Sequence, residues 1–183
     1  QQQQAQQEQR PQRQPRIAPL QRRPNAGPCP YVKILYDAAR YVELEDGRPA
    51  YGAVGYTGEI EGLTSSCAYR GEEPIRVDMD VLFRLGRGPQ ATGAQRTYRY
   101  WIAVTERNRA VLDKQYFDLP VNFGGAQTAE ATEQRTIVIP RAQMTTSGAA
   151  FEILVGFDVT PEMAEFNRGG SRFRPQTSDA PNP

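Results

Sequence analysis

The chain has 183 residues, with 22 basic against 21 acidic side chains and a formal net charge of +1. That length fits one domain with extensions, and the near balance of charge gives no reason to expect nucleic acid as a partner. It contains no histidine, which removes Ser-His-Asp and Cys-His catalysis in their usual form and the commonest metal ligand. No cofactor or metal is expected, because two cysteines are too few for a structural zinc site.

Residues 1–28 (QQQQAQQEQRPQRQPRIAPLQRRPNAGP) are rich in glutamine, proline and arginine, with Ile17 and Leu20 as the sizeable apolar side chains. Such a segment buries too little surface to offset its ordering entropy, so it reads as an extended arm or linker. Arg10, Arg13, Arg16, Arg22 and Arg23 stand against the single acid Glu8. One reading is a solvated spacer leading away from a membrane anchor upstream of residue 1. The sharper one is a docking arm, with Ile17 and Leu20 as anchors and the arginines seeking acidic or phosphate-bearing surfaces.

The folded part, residues 29–168, is a succession of strand patterns. Tyr31 to Leu35 and Arg40 to Leu44 are short strands, and the residues from Glu45 to Pro49 form a turn by composition. The Gly-rich passage from Tyr51 to Gly62 lacks G-x-G-x-x-G, so bends and bulges in a sheet explain it better than phosphate binding. Leu63 to Tyr69 is a strand carrying Cys67. From Ile75 to Phe83 apolar and polar residues alternate, which puts Ile75, Val77, Met79, Val81 and Phe83 on one face.

Thr97 to Thr105 is a further strand, with Tyr98, Tyr100, Ile102 and Val104 inward and Arg99 and Trp101 outward. Val111 to Phe123 reads as one bent strand or two, since Asp118 and Pro120 interrupt it. Gly124 to Glu133 reads as a polar loop before a strand from Gln134 to Ile139. Phe151 to Val159 has the cleanest period of two. Thr160-Pro161-Glu162 then starts a short helix by cap, first-turn proline and acid, with Met163 and Phe166 packing on the sheet. Residues 169–183 form a polar tail. Eight or nine short strands at this spacing predict an all-β fold, an immunoglobulin-like β-sandwich with a short C-terminal helix; a closed barrel is the alternative.

Cys29 and Cys67 read as one disulfide if the protein is exported, or as two reduced thiols in a cytosolic core. Asp78 and Asp80 point the same way along a strand and could hold calcium or act as paired acids, but a solvated strand face is the plainer reading. Ser65 and Ser66 lie in no G-x-S-x-G elbow and have no histidine to serve as base, so no enzyme is expected. Arg99 and an outward Trp101 have the composition of a binding hot spot or glycan platform.

The runs Cys29-Pro30-Tyr31-Val32 and Ser66-Cys67-Ala68-Tyr69, with the ending from Val155 to Glu162, resemble uncharacterised alphaproteobacterial envelope proteins, many of them predicted lipoproteins. The resemblance covers residues 29–168. It implies export and a Cys29–Cys67 pair, and carries no known activity. Gly27-Pro28 before Cys29 is not a lipobox, so a lipidated cysteine would have to precede residue 1. The expectation is a non-enzymatic accessory subunit of an envelope assembly, periplasmic or at the outer membrane, whose partners are other envelope proteins. A carbohydrate- or peptidoglycan-binding module is the alternative.

Overall fold

The computed structural model describes residues 27–107 and 109–170. Two four-stranded sheets pack face to face, in the strand orders β1-β8-β5-β6 and β2-β3-β4-β7. The strands are β1 (Tyr31–Ile34), β2 (Arg40–Leu44), β3 (Val54–Ala68), β4 (Ile75–Arg87), β5 (Gln95–Glu106), β6 (Val111–Asn122), β7 (Thr128–Ile139) and β8 (Phe151–Phe157), followed by helix α1 (Pro161–Arg168). The expected all-β sandwich with a short C-terminal helix is what forms. The arm residues Arg10, Arg13, Arg16, Ile17, Leu20, Arg22 and Arg23, and the tail from residue 171, lie outside the described residues.

Alternation drives the packing. Along β4 the side chains of Ile75, Val77, Met79, Val81, Phe83 and Leu85 are buried while those between them face solvent. They meet Tyr98, Tyr100, Ile102 and Val104 of β5 and Ile153, Val155 and Phe157 of β8 in one core. Phe83 lies at its centre, with ring centroids 4.9 Å from Tyr100 and 5.6 Å from Phe157. Each such aromatic contributes about 2–3 kcal/mol by leaving water. Gly58 makes room for this cluster, since a Cβ there would sit 2.8 Å from Phe157 Cζ.

First and last strands close the same sheet, β1 running parallel to β8 from Tyr31–Glu152 to Ile34–Val155. The Gly-rich passage enters β3, which is bulged between Ile60 and Gly62, as its composition suggested. Of the two forms expected for residues 111–123 the single strand is the one present: β6 runs unbroken through Asp118 and Pro120, because an edge strand tolerates proline where the missing N–H would face outward. Two strands begin much earlier than expected. β3 starts at Val54 rather than Leu63. β7 starts at Thr128 rather than Gln134. Its first half turns Ala129, Ala131, Glu133 and Arg135 inward, where small and charged residues hide the apolar period.

Helix α1 is capped by the Thr160 hydroxyl, which accepts from Met163 N–H at 3.2 Å. Asn167 is buried and donates to the carbonyls of Asp37 and Arg40, both at 2.8 Å. The helix is thereby tied to the turn that precedes β2.

Candidate functional site

Several independent contacts fix the entry segment, residues 27–30, to the sandwich. Cys29 and Cys67 form a disulfide with Cα atoms 5.7 Å apart, joining the entry segment to β3. Beside it the Tyr69 hydroxyl donates to Pro28 O at 2.8 Å and accepts from Gly148 N–H at 3.0 Å. Tyr69 is buried, so its polar tip requires such partners. A Cβ on Gly148 would lie 2.3 Å from Pro28 O, so the close approach depends on glycine. Arg141 stacks 4.9 Å from the Tyr69 ring centroid and donates to the carbonyls of Glu73 and Met144 at 2.8 Å. The guanidinium thus clamps two loops around the same point.

The Arg99–Trp101 patch is corrected by the structure. Trp101 does face away from the main core, as alternation requires, but it is only 7 % exposed. Ala38, Ala103, Leu154 and Val159 cover it, its indole N–H donates to Phe157 O at 2.9 Å, and the Lys114 ammonium sits 4.3 Å from the ring. The residues around Ala38, far away in sequence, supply the lid. Trp101 is therefore a second small core and no contact platform. Arg99 remains at the surface, over the Tyr116 ring at 4.3 Å and 3.8 Å from Asp158.

Asp78 and Asp80 share the solvated outer face of β4. Asp78 accepts from Thr136 Oγ1 at 2.7 Å and from Arg76 Nε at 3.3 Å, and these bonds hold its pKa below the ordinary carboxylate value. An ionised, already bonded carboxylate makes a poor general acid. Among the described residues no group of His, Cys, Asp and Glu is arranged to hold a metal ion.

Two ties between the sheets were not read from the sequence. In one, Arg96 of β5 donates to the Tyr41 hydroxyl at 2.7 Å and pairs with Glu43, both on β2. Tyr41 in turn donates to Glu43 Oε1 at 2.7 Å. Burial first, then Glu43, pushes the Tyr41 pKa up to about 12. In the other, Arg135 of β7 donates to the Tyr100 hydroxyl at 2.8 Å, and Tyr100 reaches Glu133 at 3.1 Å. Burial pushes Tyr100 up to about 12 as well. Both phenols stay protonated near neutral pH, so these trios fasten β5 to the facing sheet rather than supply a base. Their sequence trace is a pair of polar residues at alternate inward positions, Tyr41-x-Glu43 and Glu133-x-Arg135.

A groove of about 490 Å³ opens on the outer face of β2, β3 and β4 beside α1. Tyr51 and Phe166 form walls, and Thr57, Glu59, Gln127 and Thr128 supply polar groups. The floor is low because Gly86 and Gly88 carry no side chain; a Cβ there would come 2.6 Å from Thr57 Oγ1 and 2.4 Å from Val54 O, respectively. The lining thus joins two aromatic rings to hydroxyl, amide, carboxylate and guanidinium groups, the last from Arg40, Arg84 and Arg87.

Comparison with known protein families, with curated proteins and with solved structures finds no match for the chain.

Proposed function

We propose that the protein is a non-enzymatic accessory subunit of a cell-envelope assembly, in the periplasm or at the outer membrane, that docks through its N-terminal arm. The observation that carries this reading is the fastened root. A disulfide, a buried tyrosine and an obligatory glycine together hold residues 27–30 against the sandwich. A spacer needs no such fixture, whereas an arm that binds gains affinity when its point of departure is held still. The disulfide supports an oxidising compartment. Arg10, Arg13, Arg16, Arg22 and Arg23 would meet acidic or phosphate-bearing surface, with Ile17 and Leu20 as apolar anchors.

The test is the native mass of material drawn gently from membranes, intact and lacking residues 1–26. A complex larger than one or two copies of the chain, present only with the arm, is expected. A mass of one or two copies in both preparations overturns the reading.

The groove beside α1 favours a second reading, a glycan-binding module whose stacking surface is Tyr51 and Phe166. Tyr51→Ala should then weaken binding to isolated sacculi or their soluble fragments about tenfold or more. Unchanged binding removes the groove from consideration.

A further inference from the structure

Among the described residues strand β6 is a free edge of its sheet, hydrogen-bonded to β5 alone. Its register with β5 pairs Gln95 with Asn122 and Val104 with Asp113, and Phe123 N–H donates to Ala94 O at 2.7 Å. In an antiparallel ladder bonded pairs alternate with unbonded ones. Gln115, Phe117, Leu119 and Val121 therefore spend their backbone groups on β5. Those of Lys114, Tyr116 and Asp118 point to the open edge. Pro120, which has no N–H to offer, falls in the same open set.

Natural proteins commonly blunt such an edge with charge or proline; this one is 12 residues long and, beside Lys114, Asp118 and Pro120, keeps large apolar side chains exposed. Val111 is 57 % exposed, Leu112 52 % and Tyr116 43 %. Nor are its charges satisfied by opposites: among the described residues Asp118 has no ion pair, and Lys114 rests only on the Trp101 and Tyr116 rings, at 4.3 and 5.2 Å.

We propose that β6 pairs antiparallel with β6 of a second copy of this chain, about a two-fold axis at Tyr116, to join the two four-stranded sheets into one. The pattern Lys114-x-Tyr116-x-Asp118 is complementary to itself when reversed. Tyr116 meets Tyr116, and Lys114 of each copy meets Asp118 of the other. Opposite charges placed directly across strands stabilise a pair, and a two-fold doubles every such contact. The exposed Val111 and Leu112 then fall beside Val121 and Pro120 of the second copy. The root of the arm lies at the far edge of the same sheet, since β1 and β6 are its opposite edges.

The test is sedimentation of the full chain at about 1–100 μM, with hydrogen exchange read at single amides. Wild type should dimerise, with Lys114, Tyr116 and Asp118 amides protected as concentration rises. Lys114→Asp should weaken the dimer about tenfold or more by setting Asp against Asp118. The exchanged pair Lys114→Asp/Asp118→Lys should restore it, which a lost fold could not do. A wild type that stays single at the highest concentration leaves the edge to a strand of some other protein and overturns the proposal. So does a dimer whose Lys114, Tyr116 and Asp118 amides exchange freely, or one that Lys114→Asp leaves untouched.

Discussion

Tyr41 shows how much of the assembly rests on single polar contacts. Its hydroxyl is held between Arg96 and Glu43, and burial raises its pKa from 10.0 to about 12. A group bound more tightly to its proton in the folded state contributes stability that is complete below the unfolded pKa and fades as pH rises through the folded one. Stability should therefore fall between about pH 10 and about 12, with Tyr100 adding to the loss through its own shift to about 12. Tyr41→Phe should cost about 1 kcal/mol at pH 8 and flatten the alkaline decline. Urea midpoints at pH 8, 10 and 11.5 for both proteins measure this; parallel declines would show that Tyr41 is not the titrating group. Gly156 carries the opposite sort of dependence, on an atom that must be missing. A Cβ there would stand 2.6 Å from Trp101 Cζ2 and 2.7 Å from Ala38 Cβ. Gly156→Ala should cost about 1–3 kcal/mol by overpacking. Because Trp101 is the sole tryptophan, its emission should shift to the red as the indole is pushed outward; an unmoved spectrum and melting temperature would mean that the lid over the indole yields freely.

At the level of elements, the disulfide and the strand pattern invite different degrees of trust in the sequence. β4 and β8 were legible because one face is apolar throughout, from Ile75 to Leu85 and from Phe151 to Phe157, and a period of two admits no other packing. The first half of β7 was not, because the edge of the sandwich admits Glu133 and Arg135 once Tyr100 bonds them. Trp101 was placed on the correct face yet misjudged as exposed. Its cover comes from Ala38 and from a glycine opposite it, and neither leaves a periodic mark. The groove was invisible for the same reason, since Tyr51, Glu59 and Phe166 come from separate elements and Gly86 contributes by lacking a side chain. The Cys29–Cys67 pair closes a separation of 38 residues. Cys29→Ser/Cys67→Ser should lower the unfolding free energy by about 4 kcal/mol on the chain-entropy account. Oxidised wild type and the double variant, unfolded in urea without reductant, give that difference directly. A loss below about 1 kcal/mol would mean that Tyr69 and Gly148 hold the entry segment unaided.

For the molecule as a whole, the buried apolar side chains among the described residues run from Pro30 to Phe157. Asn167 then ties the closing helix back to Asp37 and Arg40. The two sheets meet in one continuous core, and β5 is fastened to the facing sheet on both flanks through Arg96 and Tyr100. Neither sheet can keep its apolar face dry without the other, so unfolding should be a single cooperative event. A chain of residues 27–170 should consequently fold alone and melt within about 2 °C of the full-length protein, a difference of at most about 0.5–1 kcal/mol for a domain of this size. Calorimetry on both chains at equal concentration, in the oxidised state, measures it. Agreement would license the arm-deletion experiment, because a complex lost with residues 1–26 could then be assigned to lost contacts and not to a weakened sandwich. A melting temperature lower by 5 °C or more, which is about 1–2 kcal/mol, would instead make the terminal segments part of the folded unit. The division of labour between a rigid body and a binding arm would then have to be abandoned.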